Sequence, residues 1–131
     1  MQSEWRRDEQ TVEFRGASGR AHRFTAHRPD AAFPNEPGVY CFARPAPGGR
    51  GFLPLFLSRT GDLAKRLAAH ESWPEALLLG ATHILVHQRE ERDVREFVEA
   101  DLHAALKPVM NGPLLDAEPL AEAGPRLVWA A

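Results

Sequence analysis

The chain has a single cysteine in its 131 residues, which excludes an internal disulfide framework and fits a reducing, cytoplasmic setting. Cys41 stands within the apolar run GVYCFA, so a buried thiol is expected there. No apolar stretch approaches the roughly 20 residues that a bilayer-crossing helix needs, so no membrane partner is expected. The opening MQSEWRRDEQ is polar and predicts no secretory leader. Internal repeats and low-complexity tracts are missing, and the length allows one domain with one modest core. A strong charge of either sign is also missing: the formal net charge is -2, so bulk charge does not advertise nucleic-acid binding.

What is present is an ordinary globular balance, with 44% hydrophobic and 26% charged residues, enough of the former to bury a core. The charges are unevenly placed. Residues 31–70 carry Arg44, Arg50, Arg59, Lys65 and Arg66 against Glu36 and Asp62, whereas residues 71–131 are predominantly acidic. This distribution allows a local phosphate-binding face, and scattered solvated charge is the alternative.

Residues 1–10 read as a mobile polar tail. In TVEFRGASGRAHRFTAHR, alternating residues around Val12, Phe14 and Phe24 flank a turn at Gly16 to Gly19, which predicts a β-hairpin. RPDAAFPNEPG is a proline-rich loop. GVYCFAR and FLPLFLS read as paired strands joined by the turn PAPGGRG, with Pro54 predicting an edge position or a bulge. TGDLAKRLAAH reads as a helix favoured by Asp62, and SWPEALLLG as a second, with Ser72 and Glu75 at capping-box spacing and Gly80 as its stop. ATHILVHQ reads as a strand. EERDVREFVEADLHAALKP carries the apolar stripe Val94, Val98, Leu102 and Leu106, a helix that Pro108 ends. This order predicts an α+β domain over residues 11–112: a small, mostly antiparallel β-sheet flanked by helices, with an added N-terminal β-hairpin. Residues 113–131 read as a C-terminal extension whose end, LVWA, is expected to dock or to meet a partner.

Three segments stand in a telling order: GVY at 38–40, FLSRTGDLAKRL at 56–67 and EADLHAALKPVMN at 99–111. Over roughly residues 36–112 the chain resembles the GIY-YIG nuclease family, in particular its small stand-alone bacterial members, with a degenerate YIG motif. The resemblance implies a phosphodiesterase that cuts nucleic acid, DNA above all, with one Mg²⁺ or Mn²⁺ ion. It assigns catalytic positions to Tyr40, Arg66, Glu99 and Asn111, with Glu99 as the metal ligand. Arg59 and His70 are the expected phosphate contacts beside them.

The residue types suit that chemistry. A planar, permanently charged guanidinium such as Arg66 can clamp phosphate oxygens. A carboxylate such as Glu99 can hold a hard cation that keeps several waters. The Tyr40 hydroxyl can orient or deprotonate an attacking water if its pKa is lowered. Each also has a plain alternative: Arg66 as a solvated helix residue, Glu99 paired on the helix surface with Arg95 or His103, Asn111 capping a turn, Tyr40 with its hydroxyl in water.

The departures are Phe56, which lacks the hydroxyl of the second tyrosine, and Ser58, which replaces the glycine of YIG. Of the remaining histidines, His83 and His87 share one strand face about 13 Å apart, too far for one metal ion, and suggest a surface or partner-facing pair. His22, His27 and His103 are expected at the surface. Three readings follow: a metal-dependent endonuclease, a non-catalytic nucleic-acid-binding module, or a protein-interaction domain forming a homodimer or part of a larger complex through the Trp129 end and the His83/His87 face.

Overall fold

The structure is a computed structural model and describes residues 10–111. The expected tail over 1–9, the C-terminal extension and the Trp129 end lie outside the described residues. Gln10 belongs not to the tail but to the first strand.

The elements run β1 (Gln10–Arg15), β2 (Ala21–His27), β3 (Gly38–Pro45), β4 (Phe52–Thr60), α1 (Leu63–Ala68), α2 (Trp73–Leu78), β5 (His83–Gln88) and α3 (Arg92–Leu106), followed by a 3-10 turn at Val109–Asn111. The strands form one five-stranded sheet in the order β1-β2-β5-β3-β4. All four pairings are antiparallel. The fold is therefore α+β, a small antiparallel sheet with helices on both faces and an N-terminal hairpin that extends one edge.

Strand β3 explains the layering. It has a hydrogen-bonded neighbour on each side and a covered face on each side, so Gly38 to Ala43 are all buried. One face packs against α3 through Phe14, Phe24, Val39, Cys41, Leu57 and Leu85, which meet Val98 and Leu102. The other face carries Tyr40, Phe42, Ile84 and Val86 against Leu63 of α1 and Ala76 of α2. Each buried Leu, Val or Phe side chain contributes roughly 1.5–3 kcal/mol of burial. Cys41 is buried among them, and burial pushes its thiol pKa up, as befits an inert thiol. Gly38 is required sterically: a Cβ there would lie 2.9 Å from the His87 carbonyl oxygen and 3.0 Å from Leu63 Cδ1. β4 is the outer strand, and its register slips between Phe42 and Ala43, opposite Pro54 and Leu55. Pro54 thus has both the edge position and the irregularity that its missing N–H demands.

The helix ends are partly as expected. The Asp62 side chain accepts the Lys65 N–H and caps α1, which is shorter than the apolar pattern suggests. α2 has no capping box: Ser72 makes no side-chain cap, and its N–H instead donates to Nδ1 of His70 at 3.0 Å. Among the described residues no helix is long and apolar enough to cross a membrane.

Candidate active site

Because neighbouring residues of a strand point to opposite faces, the antiparallel register divides the expected site in two. Tyr40 pairs with Ser58 and Val39 with Arg59. Tyr40, Phe56 and Ser58 accordingly share the face covered by α1 and α2, while Leu57 and Arg59 lie on the face covered by α3.

On the first face Tyr40 is fully buried, and its hydroxyl lies 2.7 Å from His70 Nε2. His70 Nδ1 accepts the Ser72 N–H, so the proton of the neutral ring sits on Nε2 and is donated to the tyrosine oxygen. Burial is the main reason that His70 holds its proton less readily than usual, and the Arg66 charge adds to it. Burial likewise raises the Tyr40 pKa, with Ser58 and Arg66 recovering part of the shift. The phenol therefore keeps its proton at neutral pH. The lowered pKa that a tyrosine base requires is not found, and neither is a hydroxyl in water. Arg66 donates both arms of its guanidinium to Glu71, each at 2.8 Å. That fork pulls the exposed Glu71 carboxyl down to about 2. Phe56 stacks on Phe42 and stands edge-on to His70.

On the second face Glu99 and Arg59 form a close ion pair, and Arg59 also reaches Glu96. They line an open cleft of about 510 Å³ with Ser58, Thr60, Arg92 and Arg95. Glu99 thus pairs across to β4 rather than along its own helix. Arg95 donates to the carbonyl oxygens of Arg89 and Glu90, and His103 Nε2 lies 3.2 Å from the Leu57 carbonyl oxygen. Arg92 was not singled out from the sequence, and Arg95 only as a helix-surface partner of Glu99. Their signal was helical: positions 92, 95 and 99 fall on one flank of α3.

Ser58 belongs to both groups, since its side chain interacts with the Tyr40 hydroxyl while it also lines the Glu99 cleft. Asn111 is used differently. Its side-chain carbonyl accepts the Leu57 N–H at 2.8 Å, and its amide donates to the Leu57 oxygen at 2.9 Å. It covers the outer backbone of β4 as a further strand would.

The histidines depart most from expectation. His22 is buried, with Nε2 2.8 Å from Asp101, whose carboxylate also accepts the Ser18 N–H and hydroxyl. His27 is buried against Phe33, with Nε2 2.8 Å from the Thr25 hydroxyl. His83 and His87 do share a face of β5, but α3 covers that face, so His87 is buried rather than partner-facing.

No family model, curated protein or solved structure matches the chain.

Proposed function

We propose that the protein is a divalent-metal-dependent DNA endonuclease of the GIY-YIG type, weakened at its second tyrosine position. The observation that carries this reading is the position of Ser58, which stands opposite Tyr40 in the register of β3 and β4 and also lines the cleft holding Glu99, Arg59 and Arg92. Both guanidiniums expected to meet phosphate are already paired to carboxylates, Arg66 to the exposed Glu71 and Arg59 to Glu99, whose side chain is only 19% exposed. Water screens the open Arg66–Glu71 pair, which therefore holds weakly. A phosphate arriving on either guanidinium takes the place of its carboxylate, and Glu99 is released as Arg59 turns to phosphate. Tyr40, protonated and held by His70, acts as a hydrogen-bonding group that positions Arg66 and Ser58, not as a base.

Glu99 is the one carboxylate lining the cleft among the described residues. Its oxygens are the hard donors that Mg²⁺ or Mn²⁺ takes, and Mg²⁺ completes its shell with waters and substrate phosphates. Among the described residues no three His, Cys, Asp or Glu side chains form a ready-made cage, so the fit is to an ion that arrives with substrate. When bound, such an ion polarises the scissile phosphate and the leaving oxygen.

Plasmid nicking in Mg²⁺ or Mn²⁺ tests the proposal. Wild-type protein nicks, and Glu99→Gln loses roughly 100-fold or more of the rate. Equal rates in the two proteins would remove Glu99 from the chemistry. A second reading, a non-catalytic nucleic-acid-binding module, is favoured by Phe56 and by the protonated Tyr40. It predicts DNA binding that weakens steeply with salt and no turnover with either ion.

A further inference from the structure

α3 has a second cleft on its opposite flank. Positions 94, 97 and 98 lie about half a turn from positions 92, 95 and 99. Val94, Phe97, Arg20, His22, His87 and Arg89 line this cleft, whose volume is about 390 Å³. That falls within the range of small-molecule sites.

His87 is the informative residue. It is 8% exposed, and its Nδ1 lies 2.7 Å from the carbonyl oxygen of Arg23. A carbonyl only accepts, so Nδ1 carries the proton and Nε2 presents a lone pair. Burial disfavours charging of the ring, which keeps that lone pair in place. Yet Nε2 is buried and has no hydrogen-bond partner among the described residues. A buried acceptor left bare costs free energy, and His87 lines the cleft, from which a ligand can supply the missing donor.

The remaining lining says what else that ligand carries. Arg20 and Arg89 are exposed and bring positive charge to the cleft, which favours an anion and opposes a metal cation. Phe97 is 45% exposed, a partly covered aromatic ring with the Arg20 guanidinium over it, 5.9 Å from its centroid. Asp101 holds His22 in place beside them. A ligand that satisfies all of these is anionic at one end, flat at the other, and bears a hydroxyl or N–H donor.

We propose that this cleft binds a single nucleoside phosphate, with its phosphate on Arg20 and Arg89, its base against Phe97, and a hydroxyl or N–H donated to His87 Nε2. A free nucleotide and one unstacked nucleotide of a single strand share this chemistry. The site lies apart from Glu99 and does not rest on the nuclease reading.

Calorimetric titration of the full chain tests it with AMP, inorganic phosphate and a 5′-phosphorylated tetrathymidylate. The expected result is saturable AMP binding at least about tenfold tighter than phosphate, weakened about tenfold by His87→Phe and several-fold by Arg89→Gln. Arg89 is exposed, so its substitution leaves the core intact. The ¹⁵N shift of His87 Nε2 in the wild-type protein gives the same answer without any substitution, because a lone-pair nitrogen responds on accepting a hydrogen bond. Binding of the tetrathymidylate alone, with the same sensitivity to both substitutions, assigns the ligand to a strand. Phosphate binding as tight as AMP, AMP affinity unchanged in folded His87→Phe, a His87 Nε2 shift unmoved at saturating ligand, or no binding of any of the three would each overturn the proposal.

Discussion

Tyr40 keeps its proton because it is buried, and that one fact changes its role from base to positioning group. Phe56 is the neighbour through which a lost hydroxyl can be restored. Its ring is half-buried beside Tyr40, Phe42 and His70, the position at which the second phenol would stand. Phe56→Tyr is expected to raise nicking by roughly 10–100-fold in a single-turnover assay. An unchanged rate would place the weakness elsewhere. Gly16 tests packing instead of chemistry. A Cβ at this position would lie 2.0 Å from Asp101 Oδ2. The carboxylate has nowhere to go without leaving Ser18 and His22, which hold it at 2.7 to 2.8 Å. Gly16→Ala should therefore lower stability by about 1–3 kcal/mol, read as a lower urea midpoint at unchanged slope.

At the level of elements, β4 is an exposed edge that the chain itself blunts. Asn111, presented by the turn after α3, occupies the Leu57 N–H and carbonyl as a strand partner would. His103 approaches the same carbonyl from α3. Asn111→Ala leaves the amide without its acceptor, at a cost of about 1–2 kcal/mol. Hydrogen exchange at the Leu57 amide should accelerate more than at Val39 or Cys41, which lie in the central strand. Equal acceleration everywhere would mean a global loss of stability and no specific role for Asn111 at the edge. α3 links two clefts of different character, one arginine-rich around Glu99 and one with His87 in its wall. Its periodicity alone places them on opposite flanks.

For the whole molecule, histidines in buried or half-buried positions set the response to acid. His70, His83 and His87 all have pKa values below the usual 6.5, burial being the largest cause at each. Unfolding lets them bind protons near 6.5 that the native state refuses. Their contribution to stability is therefore full above that value and is lost as pH falls through it toward their native pKa values. Asp101 acts in a lower window. Its carboxyl is drawn below 3.8, chiefly by the hydrogen bond from His22, so its contribution is present above 3.8 and lost as pH falls through the lowered native value. The thermal midpoint should be level from pH 8 to 7, fall as pH drops below about 6.5, and fall again below about 4. A midpoint that stays constant down to pH 5 would contradict the burial of these imidazoles.

The order of elements was legible in the sequence because the signals are local: alternation around Phe14 and Phe24, the continuous apolar run of β3, the stripe Val94 to Leu106, and Pro54 at an outer strand. Arg66, Glu99 and Asn111 could be assigned to their elements in the same way. The sequence could not say that Tyr40 and Arg59 face opposite sides of the sheet, since that depends on which residue of β4 stands opposite which residue of β3. Nor could it bury His22, whose partner Asp101 is 79 residues away, or show that Asn111 would meet Leu57, 54 residues back. Local periodicity is written in consecutive residues, whereas the partner of a buried polar group is chosen by the path of the whole chain.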